Sequence, residues 1–234
     1  MSANDRELTN RYADYLLSYV TENKRSKFEE VLLHRTRYLT VVLEDIYQPQ
    51  NASAVLRTCE CLGIQDVHII ENRNAYKINP DVALGSDKWL TMHRYSQEKG
   101  NTEACLTQLR KKGYRIIVTT PHKNEVMLQD LSLARGKFAI VFGNEKDGIS
   151  ESAIGCADEF VKIPMYGFTE SYNISVSAAI VLSYLTDKLR NSGIEWFLTD
   201  DEKTGIRIEW AKKVISRPEI FEKEFFKRII KGTL

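Results

Sequence analysis

The chain has 234 residues, of which 43% are hydrophobic, and its formal net charge is +1. This length fits one domain with small appendages, and no run of about eighteen apolar residues predicts a membrane span. The polar residues 1–11 do not resemble a signal peptide, and the four cysteines and four histidines lack metal-ligand spacing. We therefore expect a protein of the reducing cytoplasm, with no bound metal and no membrane partner.

Positive charge concentrates towards both ends of the chain. Residues 203–234 contain nine Lys or Arg against four Glu. Near the N-terminus five cations outnumber the two anions Glu29 and Glu30. The cations are Lys24, Arg25, Lys27, Arg35 and Arg37. This distribution fits a polyanionic partner, and it fits a solvated charged helix face equally well.

Hydrophobic periodicity predicts strands that alternate with helices. In chain order we expect helix 5–35, strand 39–43, helix 52–62, strand 66–70, helix 103–112, strand 114–119, strand 137–142, a helix from Ser150, strand 159–163, helix 174–191 and one or two helices in 200–234 with a break at Arg217-Pro218. The strands are near-continuous apolar runs. The pattern therefore predicts an α/β fold, with a mostly parallel sheet covered by helices on both faces.

Two glycine-containing loops follow strands in the second half of the chain. The first is Phe142-Gly-Asn-Glu-Lys-Asp-Gly-Ile-Ser150, and the second runs from Val161 through Gly167 to Ser177. Loops that leave strand ends in an α/β sheet converge on one crevice, where ligands bind. The chain has no GxG for a dinucleotide, and Gly143-x4-Gly148 lacks the Lys that a triphosphatase P-loop requires.

Three segments, in order and at the right spacing, resemble the motifs of the SPOUT methyltransferases, and specifically of the TrmH branch. They are Asn51-Ala-Ser-Ala-Val-Leu-Arg-Thr58, Phe142-Gly-Asn-Glu-Lys-Asp-Gly148, and Ile163-Pro-Met-Tyr-Gly167 with Ser171-Tyr-Asn-Ile-Ser175. Gly85-Ser-Asp-Lys-Trp89 resembles a further stretch of that branch, so the likeness covers residues 39–190.

The resemblance implies a SPOUT fold with a deep C-terminal trefoil knot, a homodimer, and S-adenosylmethionine as cofactor. It places the methyltransferase domain at residues 39–192, between an N-terminal helical extension, 1–38, and a basic C-terminal helical extension, 193–234. It implies 2′-O-methylation of a ribose in tRNA, at the D-loop guanosine 18. Ribosomal RNA is the alternative substrate, and a non-catalytic knotted RNA-binding protein is an alternative of another class.

The resemblance assigns catalysis to a set of polar residues: Asn51, Arg57, Glu145, Ser171 and Asn173. Arg57 would engage the ribose 2′-hydroxyl and a phosphate; because a guanidinium is not deprotonated in proteins, we expect it to orient the hydroxyl and stabilise negative charge rather than act as a base. Each residue also has a structural interpretation. Asn51 could cap a helix, Arg57 could pair with Glu60, Glu145 could be a solvated turn carboxylate, and Ser171 and Asn173 could cap the next helix.

Backbone groups of five residues are implied to bind the cofactor: Thr119, Gly143, Ile163, Met165 and Tyr172. The basic ends suggest RNA contacts by Lys24, Arg25, Arg35, Lys227 and Arg228. The chain departs from its relatives beside the motifs, at Gln48-Pro-Gln50, Asn144, Glu170 and Tyr172. These departures leave the target nucleotide open.

Overall fold

The computed structural model describes residues 3–120 and 126–230. By their contacts, the residues divide into two compact units, one formed by 36–196 and the other by 1–35 together with 197–234. The two terminal segments, predicted from the sequence as separate extensions, thus belong to one unit. Within the described ranges no helix has the length and apolarity needed to cross a membrane.

Unit 36–196 contains one sheet, in which every strand pairing is parallel. The strand order, within the described residues, is β3-β2-β1-β6-β4-β7-β5. The strands are β1 Leu39–Glu44, β2 Asp66–Ile70, β3 Thr91–Tyr95, β4 Arg115–Thr119, β5 Val126–Met127, β6 Phe138–Phe142 and β7 Glu159–Lys162. The predicted parallel sheet is confirmed.

The helices of the described residues are α1 Ala3–Leu17, α2 Glu22–Leu32, α3 Pro49–Cys61, α4 Pro80–Ala83, α5 Asn101–Lys111, α6 Glu151–Gly155, α7 Ile174–Arg190, α8 Asp200–Val214 and α9 Pro218–Ile230, with 3₁₀ turns at Ser86–Trp89 and Leu128–Asp130. Helices α3 to α7 belong to unit 36–196, and α1, α2, α8 and α9 belong to the other unit. Helices α3 and α7 contribute to one buried apolar cluster, and α5 and α6 to a second.

The central strands are apolar on both sides because both faces of the sheet are covered. In β1, Val41 and Leu43 belong to the cluster with α3 and α7, whereas Val42 belongs to the cluster with α5 and α6. In β6, Ile140 belongs to the cluster with α3 and α7, and Val141 belongs to the cluster with α5 and α6. This alternation across two buried faces explains why each strand reads as a continuous apolar run.

Two sequence predictions about elements are wrong. The helix expected over residues 5–35 is two helices, because the chain is extended at Thr21, where ψ is 148°. Strand β3 was not predicted; it lies at the edge of the sheet and its residues are partly exposed. Its mixed composition, which includes His93 and Arg94, therefore lacks the apolar signal of a central strand.

The terminal unit is a group of helices with an aromatic core. Trp210 of α8 is buried and meets the ring of Phe28 of α2 edge-on, with ring centroids 5.3 Å apart. Phe225 of α9 is buried against Tyr12 and Tyr15 of α1. The break expected at Arg217-Pro218 is present, since α8 ends at Val214 and α9 begins at Pro218.

Candidate active site

Three residues that are far apart in the sequence form a hydrogen-bonded chain at the carboxyl edge of the sheet. The Asn51 amide Nδ2 donates to Glu145 Oε1 at 2.8 Å, and the Asn173 amide Nδ2 donates to Asn51 Oδ1 at 3.2 Å. Asn51 lies in the first turn of α3, Glu145 in the loop after β6, and Asn173 immediately before α7. The structure therefore brings together three of the five predicted catalytic residues. We call them the Asn51–Glu145–Asn173 cluster.

Glu145 binds the beginning of α3. Its Oε2 accepts the backbone N–H of Tyr47 at 3.0 Å, and its Oε1 accepts that of Gln48 at 3.3 Å in addition to the Asn51 amide. These N–H groups lack partners within the helix, and a negative charge at this end is favoured by the helix dipole. Glu145 therefore fixes the position of α3 and of Asn51.

Asn51 does not cap its helix. Helix α3 begins at Pro49 with Gln48 in the N-cap position, so Asn51 lies inside the first turn. The N-cap interpretation of Asn51 is therefore wrong. Its buried side chain instead makes contacts with other segments, and its Nδ2 also donates to Gln48 Oε1 at 3.2 Å.

Asn173 caps a helix and also bonds to Asn51. Its Oδ1 accepts the backbone N–H of Ser175 at 2.8 Å and the Ser175 hydroxyl at 2.6 Å, which caps α7. Its Nδ2 remains directed to Asn51. The cap thus holds the Asn173 amide in the orientation that joins α7 to α3.

Arg57 and Ser171 lie outside this chain of hydrogen bonds. Arg57 is exposed on α3, six residues after Asn51, which is roughly 9 Å along the helix axis. Within residues 3–120 and 126–230, the side chains of Arg57 and Ser171 form no hydrogen bond or ion pair. The interpretation of Arg57 as an ion-pair partner of Glu60 is not supported, and its guanidinium is available to a ligand.

A second network shapes the loop that carries Glu145. Asp45, directly after β1, has a φ of 56° and accepts the backbone N–H groups of Asn72, Arg73 and Asn74 at 2.8–3.1 Å. Burial by itself would raise the pKa of Asp45, but these N–H groups and the Arg73 guanidinium outweigh it and lower the pKa. Asp45 therefore remains an anion that holds the loops after β1 and β2 together.

Asn144 connects the same network to the loop after β6. Its Nδ2 donates to the Asp45 carbonyl at 2.6 Å, and its Oδ1 accepts the backbone N–H of Lys146 at 2.8 Å. Backbone bonds between Asn144 and Gly148 close the loop at 2.8 and 2.9 Å. Sequence reasoning did not assign these roles to Asp45 and Asn144. The available signal was an Asn in a glycine-containing turn, which typically bonds the backbone two residues further on.

A groove of about 470 Å³ opens beside the end of β7, within the range typical of small-molecule sites. Two of the predicted cofactor-binding residues, Ile163 and Met165, line it together with Tyr166 and Glu170. Thr119 is the last residue of β4, Gly143 directly follows the neighbouring strand β6, and Tyr172 precedes Asn173. No cluster of His, Cys, Asp or Glu in the described part of the chain could hold a metal ion.

The predicted RNA-contacting residues all lie in the terminal unit, and one of them is not on its surface. Lys24, Arg25, Lys227 and Arg228 are exposed, and Arg228 is paired with Glu224. Arg35, in contrast, is 1% exposed, and its guanidinium lies 5.5 Å from the centre of the Trp210 ring. Because the cation is buried against this ring, the expectation that Arg35 contacts RNA is wrong for this conformation.

An open parallel sheet with a polar cluster and a groove at its carboxyl edge defines an α/β enzyme that binds a small molecule there. The chain belongs to the SpoU rRNA methylase family, whose profile matches residues 38–183. The resemblance to SPOUT methyltransferases is thereby confirmed.

Curated relatives and solved structures agree with this family. The tRNA (guanosine(18)-2′-O)-methyltransferase of Borreliella burgdorferi is 44% identical over 207 residues, which is 88% of this chain and 93% of the relative. The enzyme of the same name from Thermus thermophilus is 33% identical over 69% of this chain and 81% of the relative. The crystal structure of the A. aeolicus TrmH/SpoU tRNA modifying enzyme superposes with a TM-score of 0.74 at 27% identity, over 83% of this chain and 98% of that one.

Proposed function

We propose that this protein transfers the methyl group of S-adenosylmethionine to a ribose 2′-hydroxyl of tRNA, at the D-loop guanosine 18. The observation that carries the proposal is the Asn51–Glu145–Asn173 cluster, in which three family motifs meet through side-chain hydrogen bonds. The names of the relatives supply the substrate, and the 44% identity of the Borreliella burgdorferi enzyme extends over nearly all of this chain.

The two asparagines of the cluster have one acceptor site and one donor left for a hydroxyl group. Both Nδ2 hydrogens of Asn51 are used, by Glu145 and Gln48, and among the described residues its Oδ1 accepts one bond, from Asn173. The Asn173 amide donates one of its two hydrogens to Asn51. An Asn oxygen has two lone pairs, and its nitrogen two hydrogens. A ribose 2′-hydroxyl could therefore donate to Asn51 Oδ1 and accept from Asn173 Nδ2.

Glu145 acts in this proposal as a positioning residue. Its two oxygens already accept three hydrogen bonds from the start of α3, so its charge is engaged by the helix and not by substrate. This arrangement keeps the Asn51 amide in one orientation before the RNA binds. Such preorganisation lowers the barrier because the reacting groups need not be ordered at the moment of reaction.

Arg57 supplies the positive charge. Its exposed guanidinium has five N–H donors, so it can bind an RNA phosphate through two parallel hydrogen bonds and stabilise negative charge that develops on the attacking oxygen. The proton of the hydroxyl leaves to phosphate or water. Arg57 is thus the residue that we propose to engage the phosphate beside the target ribose, and Ser171 lies on the neighbouring loop to position the same ribose.

The residues at the ends of β4, β6 and β7 fit a bound S-adenosylmethionine. The groove has the volume for it, and Ile163 and Met165 line that groove. Gly143, directly after β6, has no room for a side chain because the backbone of Gly148 and Ile149 occupies the place of a Cβ atom, so only glycine lets the loop close this tightly. The cofactor supplies an electrophilic methyl group; backbone groups of Thr119, Gly143, Ile163, Met165 and Tyr172 are proposed to hold it.

We further propose the trefoil knot and the homodimer that the resemblance implies. An apolar stripe on α7 supports the dimer: Val176, Ile180 and Tyr184, spaced by four residues, are 36–44% exposed. Residues at this spacing share one face of a helix. An Ile180→Glu variant should shift the protein from dimer to monomer in light scattering coupled to size exclusion, and an unchanged mass would contradict this interface.

The exposed cations of the terminal unit are proposed to bind the tRNA backbone. Lys24, Arg25, Lys227 and Arg228 lie on α2 and α9. Contacts to phosphates release counterions, so the tRNA dissociation constant should rise steeply with salt, and the slope should decrease by about one for each cation removed. An affinity that is independent of salt would contradict this assignment.

The decisive experiment is methyl transfer to an unmodified tRNA transcript, followed by nuclease digestion and nucleoside mass spectrometry. We expect 2′-O-methylguanosine in the D-loop. Arg57→Ala should lower kcat by about 10²–10³, as removal of a group that stabilises the transition state does, and Arg57→Lys should restore only part of it. Lys111→Ala removes an exposed cation on α5 and serves as the matched control.

Each other outcome has a definite meaning. Methylation of ribosomal RNA but not of tRNA would keep the enzyme and change its substrate. Absence of both S-adenosylmethionine binding and product would refute the methyltransferase assignment. Full activity of Arg57→Ala would refute the role given to Arg57.

A further inference from the structure

We infer that Tyr47 is a binding residue for the base of the target nucleotide, on whose ring the nucleobase stacks while the attached ribose occupies the Asn51–Glu145–Asn173 cluster. This inference rests on the proposed function, since it takes RNA as the substrate. It adds a subsite, formed by the loop between β1 and α3, to the groups that contact ribose and cofactor.

The backbone of Tyr47 is fixed directly beside the cluster. Its N–H donates to Glu145 Oε2 at 3.0 Å, and the other oxygen of the same carboxylate accepts the Asn51 amide at 2.8 Å. Its position relative to Asn51 is therefore set by one shared carboxylate. The base of a nucleotide is attached to the carbon next to the one that carries the 2′-oxygen, so a base-stacking residue must lie within a few ångströms of the group that binds the hydroxyl.

The side chain of Tyr47 is free to meet such a base. It is 67% exposed, and no ring contact or hydrogen bond of its side chain occurs among the described residues. A tyrosine has only two side-chain torsions, so it offers a large flat surface with little loss of conformational entropy when a ligand binds. Bases in single-stranded RNA loops are recognised by stacking on such aromatic surfaces.

Exposed aromatic residues are concentrated at this edge of the sheet. In unit 36–196, four of the five large aromatic side chains described as exposed lie in loops that follow β1 or β7; they are Tyr47, Tyr166, Phe168 and Tyr172, and the fifth is Tyr184. Single exposed apolar residues are common, but a group at one functional edge marks a binding surface.

The loop after β7 brings three of these residues towards Tyr47. Strand β7 is three positions away from β1 in the sheet, a distance of roughly 14 Å. The loop that follows β7 nevertheless ends at Asn173, which bonds to Asn51 in the helix after β1. The loop therefore spans the ends of β4 and β6. Tyr166 lines the groove proposed for the cofactor, and Tyr172 is adjacent to Asn173. Tyr47, in contrast to Tyr166 and Tyr172, lies outside the proposed cofactor site, and its backbone is bonded to the cluster through Glu145, so its replacement separates base binding from cofactor binding.

The test compares Tyr47→Ala, Tyr47→Phe and Tyr47→Leu with the wild-type protein. A stacked base accounts for about a 5- to 150-fold change in affinity when its aromatic partner is removed. We expect kcat/KM for tRNA to fall by that amount in Tyr47→Ala, to fall less in Tyr47→Leu, and to be retained in Tyr47→Phe, which keeps the ring. The S-adenosylmethionine dissociation constant, from calorimetry, should be unchanged in all three.

A spectroscopic readout distinguishes stacking from a structural effect. In a tRNA that carries 2-aminopurine in place of the target guanine, stacking on Tyr47 should quench the fluorescence in complexes of wild type and Tyr47→Phe, and the complex of Tyr47→Ala should be brighter. Leu84→Ala, which removes a side chain of nearly equal exposure, 66%, is the control and should match wild type.

Two results would overturn the inference while leaving the proposed function intact. One is equal kcat/KM and equal fluorescence for wild type and Tyr47→Ala. The other is a loss that appears in cofactor affinity or in oligomeric state and not in the fluorescence. Absence of methyl transfer to tRNA by the wild-type protein would instead refute the proposed function, and this inference with it.

Discussion

Replacement of Gly143 by alanine should damage both the stability and the cofactor site of the protein. Gly143 is the first residue after β6 and begins the loop that carries Glu145. A Cβ atom at this position would lie 2.4 Å from the Gly148 carbonyl oxygen, 2.6 Å from its carbon and 2.7 Å from the Ile149 nitrogen. All three are backbone atoms, so no side-chain rotation relieves the contact.

The size of the effect follows from the shift that the loop would have to make. The Cβ···O distance is almost 1 Å shorter than an ordinary contact of about 3.3 Å. Moving Gly148 by that amount strains the two backbone hydrogen bonds between Asn144 and Gly148, each worth about 1 kcal/mol. Overpacking of this kind adds typically 1–3 kcal/mol. We therefore expect the free energy of unfolding to decrease by about 2–5 kcal/mol.

The assay combines urea denaturation with calorimetric titration of S-adenosylmethionine. Gly143→Ala should lower the denaturation midpoint and weaken cofactor binding at least tenfold. Gly155→Ala is the matched control, because a Cβ there meets nothing within 4 Å and its φ is not in the left-handed region. If Gly143→Ala unfolds at the same urea concentration as wild type and binds the cofactor equally well, the reasoning from the backbone contact is refuted.

Three further changes test other parts of the structure. Glu145→Gln should lower the free energy of unfolding, measured by urea denaturation, by about 1–2 kcal/mol, because the start of α3 loses one hydrogen-bond acceptor and a negative charge. The same variant should have a lower kcat, because Asn51 loses its fixed orientation. An unchanged kcat would refute the positioning role. Burial lowers the pKa of His68 to about 3. The unfolded chain, with a histidine pKa near 6.5, therefore binds more protons between these values, and stability should fall as pH drops from 6.5 towards 3, by at most about 1.4 kcal/mol per pH unit. His68→Phe should reduce this slope in urea titrations from pH 7 to 4, and an identical slope in the variant would contradict the assignment. Gly205→Ala, inside α8 with nothing within 4 Å of the new Cβ, should raise the free energy of unfolding by about 0.5–1 kcal/mol, and any decrease would contradict the open space found at this position.

The sequence predicts those structural features that depend on interactions between nearby residues. Apolar runs in β1, β4 and β6 predict strands buried on both faces, because side chains of a strand alternate between its two sides and both sides are covered here. Capping residues are equally local: Ser150 accepts the N–H of Ala153 at 3.1 Å and begins α6, and Gly63, with a φ of 77°, follows α3. These features depend on neighbours a few residues away, and so the order of residues suffices to predict them.

The side-chain partners of the site depended on the tertiary structure. Glu145 is 94 residues from Asn51, and Asn173 is 122 residues from it. Whether they meet depends on the order of strands in the sheet, where β6 pairs with β1 although four strands separate them in the chain. The hydrophobic periodicity of the sequence does not predict that strand order. Arg35 is a second case, because its charge predicts a position on the surface, whereas the folded chain buries it against the Trp210 ring. The sequence by itself thus determined the buried central strands, the caps at Ser150 and Gly63 and, by resemblance, the motifs. Long-range packing decided which polar groups of the site bond to one another, because those bonds form between segments that only the folded sheet brings into contact.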